Sequence, residues 1–202
     1  MVERRSPPPE DVSVELGDLR SRVERLSVEL AEARAHAARQ EGLAHEDALT
    51  GVLNRRGFLR DLTRSIAYGA RYDAPAALLF ADLDSFKPVN DRHGHGIGDQ
   101  ALRHVADLLR ANIRASDSVG RLGGDEFALI IWQVDQTAAE QKARFIEDLI
   151  AGAPMALPAG SLRLGASIGF TLLRADDLAE DALARADRAL YARKNERGGS
   201  MR

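Results

Sequence analysis

Arg121-Leu122-Gly123-Gly124-Asp125-Glu126-Phe127 sets two glycines and two carboxylates between two short apolar stretches. The flanking segments 118–122 and 126–132 read as strands. The glycine pair between them is a hairpin signal, because glycine adopts the positive φ that a tight reversal needs. Asp125 and Glu126 are therefore expected at the hairpin tip. Successive residues of a strand point to opposite faces, so the turn must decide whether both carboxylates reach one locus. Two hard oxygen donors at such a place suit Mg²⁺. The heptapeptide alone also reads as an ordinary acidic turn.

Outward from this hairpin, Ala76-Ala77-Leu78-Leu79-Phe80-Ala81 is continuously apolar, as a buried central strand should be, and it ends in Asp82-Leu83-Asp84. The patterning predicts helices over 55–70, 99–113, 137–151 and 179–195, and strands over 76–82, 118–122, 126–132 and 161–173. From residue 76 onward this order is βαββαβ, the ferredoxin-like α+β arrangement, an antiparallel sheet with flanking helices. In that arrangement the first and third strands are neighbours at the sheet centre. Asp82 is thereby brought beside the hairpin that carries Asp125 and Glu126.

The segment before residue 45 has a different character. Residues 1–11 are charged, with three prolines among the first ten, and read as a disordered tail. Over 12–44, Val12, Leu16, Leu19, Val23, Leu26, Leu30, Ala33 and Ala37 alternate spacings of four and three, the seam of a coiled coil. The other reading is an amphipathic helix packed on its own domain. A second copy in parallel is the simplest coiled-coil partner. The seam weakens toward Gln40 and Ala44, a hinge into a further domain over 45–202.

Composition removes several classes. There are no cysteines, which excludes disulfides and thiolate metal sites and agrees with a reducing cytoplasm. Hydrophobic residues make up 45%, enough for a core. The first ten residues have no apolar run of signal-peptide type, and no stretch approaches the roughly 18 apolar residues of a membrane span, so a soluble protein without a membrane segment is expected. A net charge of -3 offers no general attraction to polyanions, and nucleic acid is not an expected partner.

Several segments together resemble the GGDEF family of diguanylate cyclases, over roughly residues 45–196. They are Asp47-Ala48-Leu49-Thr50-Gly51 with Asn54-Arg55-Arg56, then Asp82-Leu83-Asp84-Ser85-Phe86-Lys87, Asn90-Asp91, Gly94-His95, Gly98-Asp99, the opening heptapeptide, and Ser167-Ile168-Gly169. The resemblance implies a nucleotidyltransferase that condenses two GTP molecules into cyclic di-GMP and releases two pyrophosphates. Each domain of the family binds one GTP, so two domains must meet, and the coiled coil then supplies the homodimer and a high effective concentration.

The resemblance also distributes roles. Asp82 and Asp125, with the backbone carbonyl of Leu83, would hold Mg²⁺ or Mn²⁺. Glu126 would join them and help to deprotonate the attacking 3′-hydroxyl. Phe86 and Lys87 would approach the β- and γ-phosphates, and Asn90 and Asp99 the guanine edge, although Gly98-Asp99 also reads as a helix N-cap. Asp84 would stand behind the metal ligands. His93 and His95 read as structural. Lys194 matches the family's C-terminal lysine on the triphosphate, whereas Arg197 stands one position from the family's arginine. Arg114 and Asp117 match the spacing of the family's inhibitory site for cyclic di-GMP, with Arg144 a further basic contact. The same residues also read as a helix-end turn. The rival reading is an inactive receptor that binds cyclic di-GMP there and signals through its coiled coil. No sensory domain is legible. Either a partner acts on the helix, or the chain is part of a longer regulated protein, or dimerisation is constitutive.

Overall fold

The computed structural model describes residues 22–30, 45–158 and 160–199, with backbone alone for 196–199. The chain divides into two units, Met1–Ala44 and His45–Arg202. In the first, residues 22–30 form helix α1. Val23, Leu26 and Leu30, three positions of the expected seam, are exposed on it. The seam positions Val12, Leu16, Leu19, Ala33 and Ala37, and the tail 1–11, lie outside the described residues.

The second unit opens with a wrapped turn. The Asp47 carboxylate accepts from the Thr50 amide at 3.0 Å and from its hydroxyl at 2.6 Å. The chain then runs through β1 (Leu53–Asn54) into α2 (Arg55–Tyr72), where Asn54 caps the helix by accepting from the Gly57 amide. Next come β2 (Ala76–Asp84), α3 (Phe86–His93), α4 (His95–Ala111), β3 (Ser118–Gly123), β4 (Glu126–Trp132), α5 (Gln136–Gly152), β5 (Met155–Leu157), β6 (Gly160–Leu162), β7 (Gly165–Leu172) and α6 (Ala179–Gly199).

The main sheet has the order β1-β3-β4-β2-β7. The expected βαββαβ core is present, with β2 between β4 and β7 in antiparallel ladders. The short β1 adds a parallel edge against β3, so the sheet is mixed. The two faces of β2 go to different cores. Ala77, Leu79, Ala81 and Leu83 join Leu102, Val105 and Leu109 of α4 and Ala143, Ile146 and Ile150 of α5. Leu78 and Phe80 join Phe58, Leu62 and Ile66 of α2 and Ala182, Leu183 and Ala186 of α6. The helices inside the motif thus cover one face, and those outside it cover the other. Both faces of β2 are buried, which is why its sequence is apolar without alternation.

Three local features depart from the pattern read in the sequence. The polar stretch 86–93 is a helix, because Pro88 falls in its first turn, where a missing N–H costs nothing. Helix α4 begins at His95, ahead of the expected 99. The expected strand 161–173 is two: β6 pairs with β5 in a small separate hairpin, and β7 begins after buried Leu164.

Gly169 explains how α6 reaches the sheet. A Cβ there would lie 2.1 Å from the Leu190 nitrogen and 2.3 Å from the Ala186 carbonyl oxygen, so the helix backbone rests directly on β7. The N-terminal half of α6 is tied to the same strand by Arg185. Its guanidinium meets Asp177 through two contacts of 2.6 Å and donates to the Leu172 carbonyl at 3.2 Å.

Candidate functional site

The site forms where β2 and β4 end together. Asp82 and Glu126 are direct partners across the antiparallel ladder, so their side chains leave the same face at neighbouring positions. The hairpin has a two-residue turn, Gly124-Asp125, with Gly123 paired to Glu126 after a bulge at Leu122. Glu126 is therefore the first strand residue, and Asp125 alone stands in the turn. The buried Leu83 donates its amide to the Asp125 carbonyl at 3.3 Å, which stitches the turn to the end of β2.

The two carboxylates of the hairpin serve different spaces. Asp125 lines a cavity of about 430 Å³ together with Lys87, Asn90, His95, Asp99 and Arg121, with Phe86 and Leu102 contributing apolar wall. Glu126 lines a second cavity of about 300 Å³ with Arg55, Phe80, Glu180 and Asp187. Among the described residues, no three acidic or histidine side chains are gathered tightly enough to form a ready metal cage. Asp82 and Glu126 converge from neighbouring positions on one sheet face, and Asp125 stands beside them in the turn.

Charge at this convergence is uneven. Burial pushes the Glu126 carboxyl above the usual glutamate range, the nearby charges of Asp82, Asp125 and Asp187 push it further, and Arg55 opposes them. Asp82 is instead paired with the Lys194 ammonium of α6. Lys194 thus occupies the position of a cation beside the acidic strand end. Asp84 accepts from the Ser167 hydroxyl at 2.8 Å, and Ser167 is the β7 residue opposite Asp82. Asp84 therefore fixes the neighbouring strand.

The turn between β2 and α3 places Ser85 at φ 54, a left-handed conformation costly for a non-glycine residue. It turns the chain so that Phe86, Lys87 and Asn90 of α3 face Asp99 of α4 across the larger cavity. Gly98 makes room for this meeting: a Cβ on it would stand 1.9 Å from the Asn90 Oδ1. His95 lines the cavity, whereas His93 does not. Asp99 lies inside α4, so it is not that helix's N-cap, a position held by Gly94.

Arg114 and Asp117 sit at the turn from α4 to β3, beside a cavity of about 470 Å³ that also meets Glu46, Arg110 and Ile113. The Asp117 carboxylate accepts from the Arg114 amide at 3.0 Å and from the Trp132 amide at 3.1 Å, so it also shapes the turn. Arg144 is exposed on α5 and paired with Glu140 at 2.7 Å. The Arg197 side chain lies outside the described residues.

Four residues near these sites had no role assigned from the sequence, although Arg55 and Arg121 stand within its motifs. Asp187 and Arg55 act on Glu126 through space. Arg121 donates to the Gly124 carbonyl from Nε at 2.9 Å and Nη2 at 2.7 Å. Lys142 donates to the Asn112 carbonyl at 2.7 Å. Burial holds its ammonium below the usual lysine range, with Asp117 opposing and Arg114 adding to the effect. For Asp187 the available signal was its helical offset of seven residues from Lys194, which places both on one face of α6.

A two-faced α+β sheet with an acidic strand-end cluster and an adjoining polar cavity is the frame on which the comparisons rest. The family profile described as "Diguanylate cyclase, GGDEF domain" matches residues 44–200, and the chain belongs to that family. It is 38% identical over 180 residues to the bifunctional diguanylate cyclase/cyclic di-GMP phosphodiesterase MucR of Pseudomonas aeruginosa, covering 88% of this chain and 26% of MucR. It is 36% identical over 197 residues to the diguanylate cyclase TpbB of the same species, covering 96% of this chain and 43% of TpbB. The chain thus spans less than half the length of these relatives. Among solved structures, the coiled coil and GGDEF domain of DgcB from Caulobacter crescentus, in complex with c-di-GMP, superposes with a TM-score of 0.78 at 26% identity. That match covers 88% of this chain and 95% of the other.

Proposed function

We propose that the chain is a diguanylate cyclase that joins two GTP molecules into cyclic di-GMP and releases two pyrophosphates. The observation that carries this reading is the direct opposition of Asp82 and Glu126 at the strand ends, beside a cavity lined by Lys87, Asn90 and Asp99. The family membership supports the same chemistry.

Asn90 and Asp99 are assigned to the guanine. An acidic acceptor matches the N1–H and amino donors of the base, and an amide meets its remaining polar edge. Phe86 and Lys87, at the start of α3, are assigned to the β- and γ-phosphates, where free helix amides and an ammonium favour an anion. Lys194 is assigned to the triphosphate from the α6 side. Glu126, with its raised proton affinity, is the group suited to take the proton of the attacking 3′-hydroxyl.

The donors fit a hard divalent cation in kind. Three carboxylates stand near the ends of β2 and β4, burial and the charges of Asp82 and Asp125 already disfavour ionisation of Glu126, and an ammonium is drawn to Asp82. Asp82, Asp125 and Glu126, with the Leu83 carbonyl, would hold Mg²⁺ or Mn²⁺, since the same oxygen ligands accept either. Such an ion supplies acidification of the hydroxyl and charge neutralisation on the triphosphate.

Two domains must meet for the condensation, and the exposed Val23, Leu26 and Leu30 of α1 support a homodimer through a coiled coil. Arg114 and Asp117, with Arg144 as an outer contact, are assigned to product inhibition. Their cavity would receive cyclic di-GMP, with arginine gripping phosphate or a guanine edge.

Incubation of the purified protein with GTP and Mg²⁺, followed by chromatography of the nucleotides, tests the activity. Cyclic di-GMP from the parent and none from Glu126→Gln is the expected result. A folded dimer that makes none, yet binds added cyclic di-GMP, would replace the cyclase with a receptor.

A further inference from the structure

We propose that Glu147 of α5 is a positioning residue for Lys194, an inference that rests on the assignment of Lys194 to the triphosphate. Glu147 is a buried carboxylate, 7% exposed, on a helix whose other buried side chains are apolar. One of its oxygens accepts from the Ile168 amide of β7 at 2.9 Å. The other accepts from Nη2 of Arg193 at 3.0 Å.

These contacts join elements that the sheet separates. β7 is an edge strand, α5 packs on the face of one core and α6 on the face of the other. The ion pair of Glu147 with Arg193 therefore passes round the free edge of β7. Arg193 and Lys194 are consecutive on α6, about 100° apart around the helix. One reaches Glu147 and the other reaches Asp82. Two charged contacts at that angle fix both the rotation and the advance of the last turns of α6.

The charge of Glu147 needs such a role. A neutral amide would satisfy the Ile168 N–H, and a buried carboxylate is costly unless an opposite charge meets it. Arg193 is an opposite charge that meets it. With the α6 backbone held by Glu147, the Lys194 ammonium can move from Asp82 to an arriving phosphate by side-chain rotation alone, with no shift of the helix.

The test uses the full chain and two variants that break the same ion pair from opposite ends. Glu147→Gln keeps an acceptor for Ile168, and Arg193→Gln leaves Glu147 on Ile168. Dissociation constants are measured for a non-hydrolysable GTP analogue and for GMP, alongside thermal unfolding. Both variants are expected to bind the GTP analogue about tenfold more weakly, the scale of loss when the partner of a site ligand is removed. GMP binding should stay as in the parent, and Glu147→Gln should add nothing in a Lys194→Ala background. Equal losses for GMP and the analogue, or parental affinity for both, would overturn the positioning role, as would additivity with Lys194→Ala. A parent that binds no GTP analogue overturns the functional reading and this role with it. A parent that makes product beside variants of parental affinity overturns the positioning alone.

Discussion

Nη1 of Arg121 lies 3.2 Å from the carboxylate of Asp47, a residue 74 positions earlier in the chain. The other nitrogens of that guanidinium hold the Gly124 carbonyl, so one side chain ties the entry of the second unit to the turn carrying Asp125. Burial alone would raise the Asp47 pKa. The hydroxyl and amide of Thr50 and the charge of Arg121 outweigh it and hold the carboxyl below its ordinary range.

Because the folded pKa of Asp47 is depressed, its contribution to stability is present above the ordinary aspartate value of 3.8 and is lost as pH falls through the lower folded value. Asp47→Asn should therefore cost about 1 kcal/mol at neutral pH. Thermal melts across an acid series should show the parent and variant converging below that value. A constant gap at every pH would assign the loss to packing.

Glu126 has the opposite sign. Its folded pKa is raised, so ionising it disfavours the folded state as pH rises from the ordinary glutamate value of 4.5 through the folded one. In metal-free buffer, Glu126→Gln should melt higher than the parent at neutral pH, by less than about 1 kcal/mol because the carboxylate is partly solvated. The advantage should vanish below the ordinary value. Added Mg²⁺ should raise the melting temperature of the parent and raise that of the variant less.

Gly98→Ala tests the guanine assignment without replacing a polar group. The new methyl meets the end of a flexible side chain, so Asn90 should swing aside while the fold persists. KM for GTP should rise about fivefold, the loss of roughly one hydrogen bond. An unchanged KM with an intact fold would remove Asn90 from the base site.

Gly169→Ala should behave differently, because its methyl meets helix backbone. We expect a loss of about 3 kcal/mol as α6 is forced from β7, seen as a lower denaturation midpoint with an unchanged slope. A variant as stable as the parent would mean that α6 is not seated as described.

The contrast between those two glycines shows what the sequence discloses. The apolar run 76–81 and the Gly-Gly hairpin place β2 beside β4 and bring Asp82 to the hairpin, while the register that pairs Asp82 with Glu126 is seen only in the ladder. The separation of Asp125 and Glu126 into two cavities does not follow, because a bulge at Leu122 and a two-residue turn decide it. Helix α3 was hidden by its polarity and Pro88, which signal a loop unless the proline's place in the first turn is known. Asp187, Arg121 and Glu147 act across elements far apart in sequence. Their partners are set by tertiary packing, on which a local pattern is silent.

The edge strand β7 carries one more consequence. Glu147 takes the Ile168 N–H, and Arg185 takes the Leu172 carbonyl, so charged side chains occupy backbone groups that a strand from another molecule would need. The opposite edge, β1, is two residues long. The sheet is thus poorly suited to growing sideways into a neighbour. Copies of this domain at high local concentration can meet and part without templating aggregation.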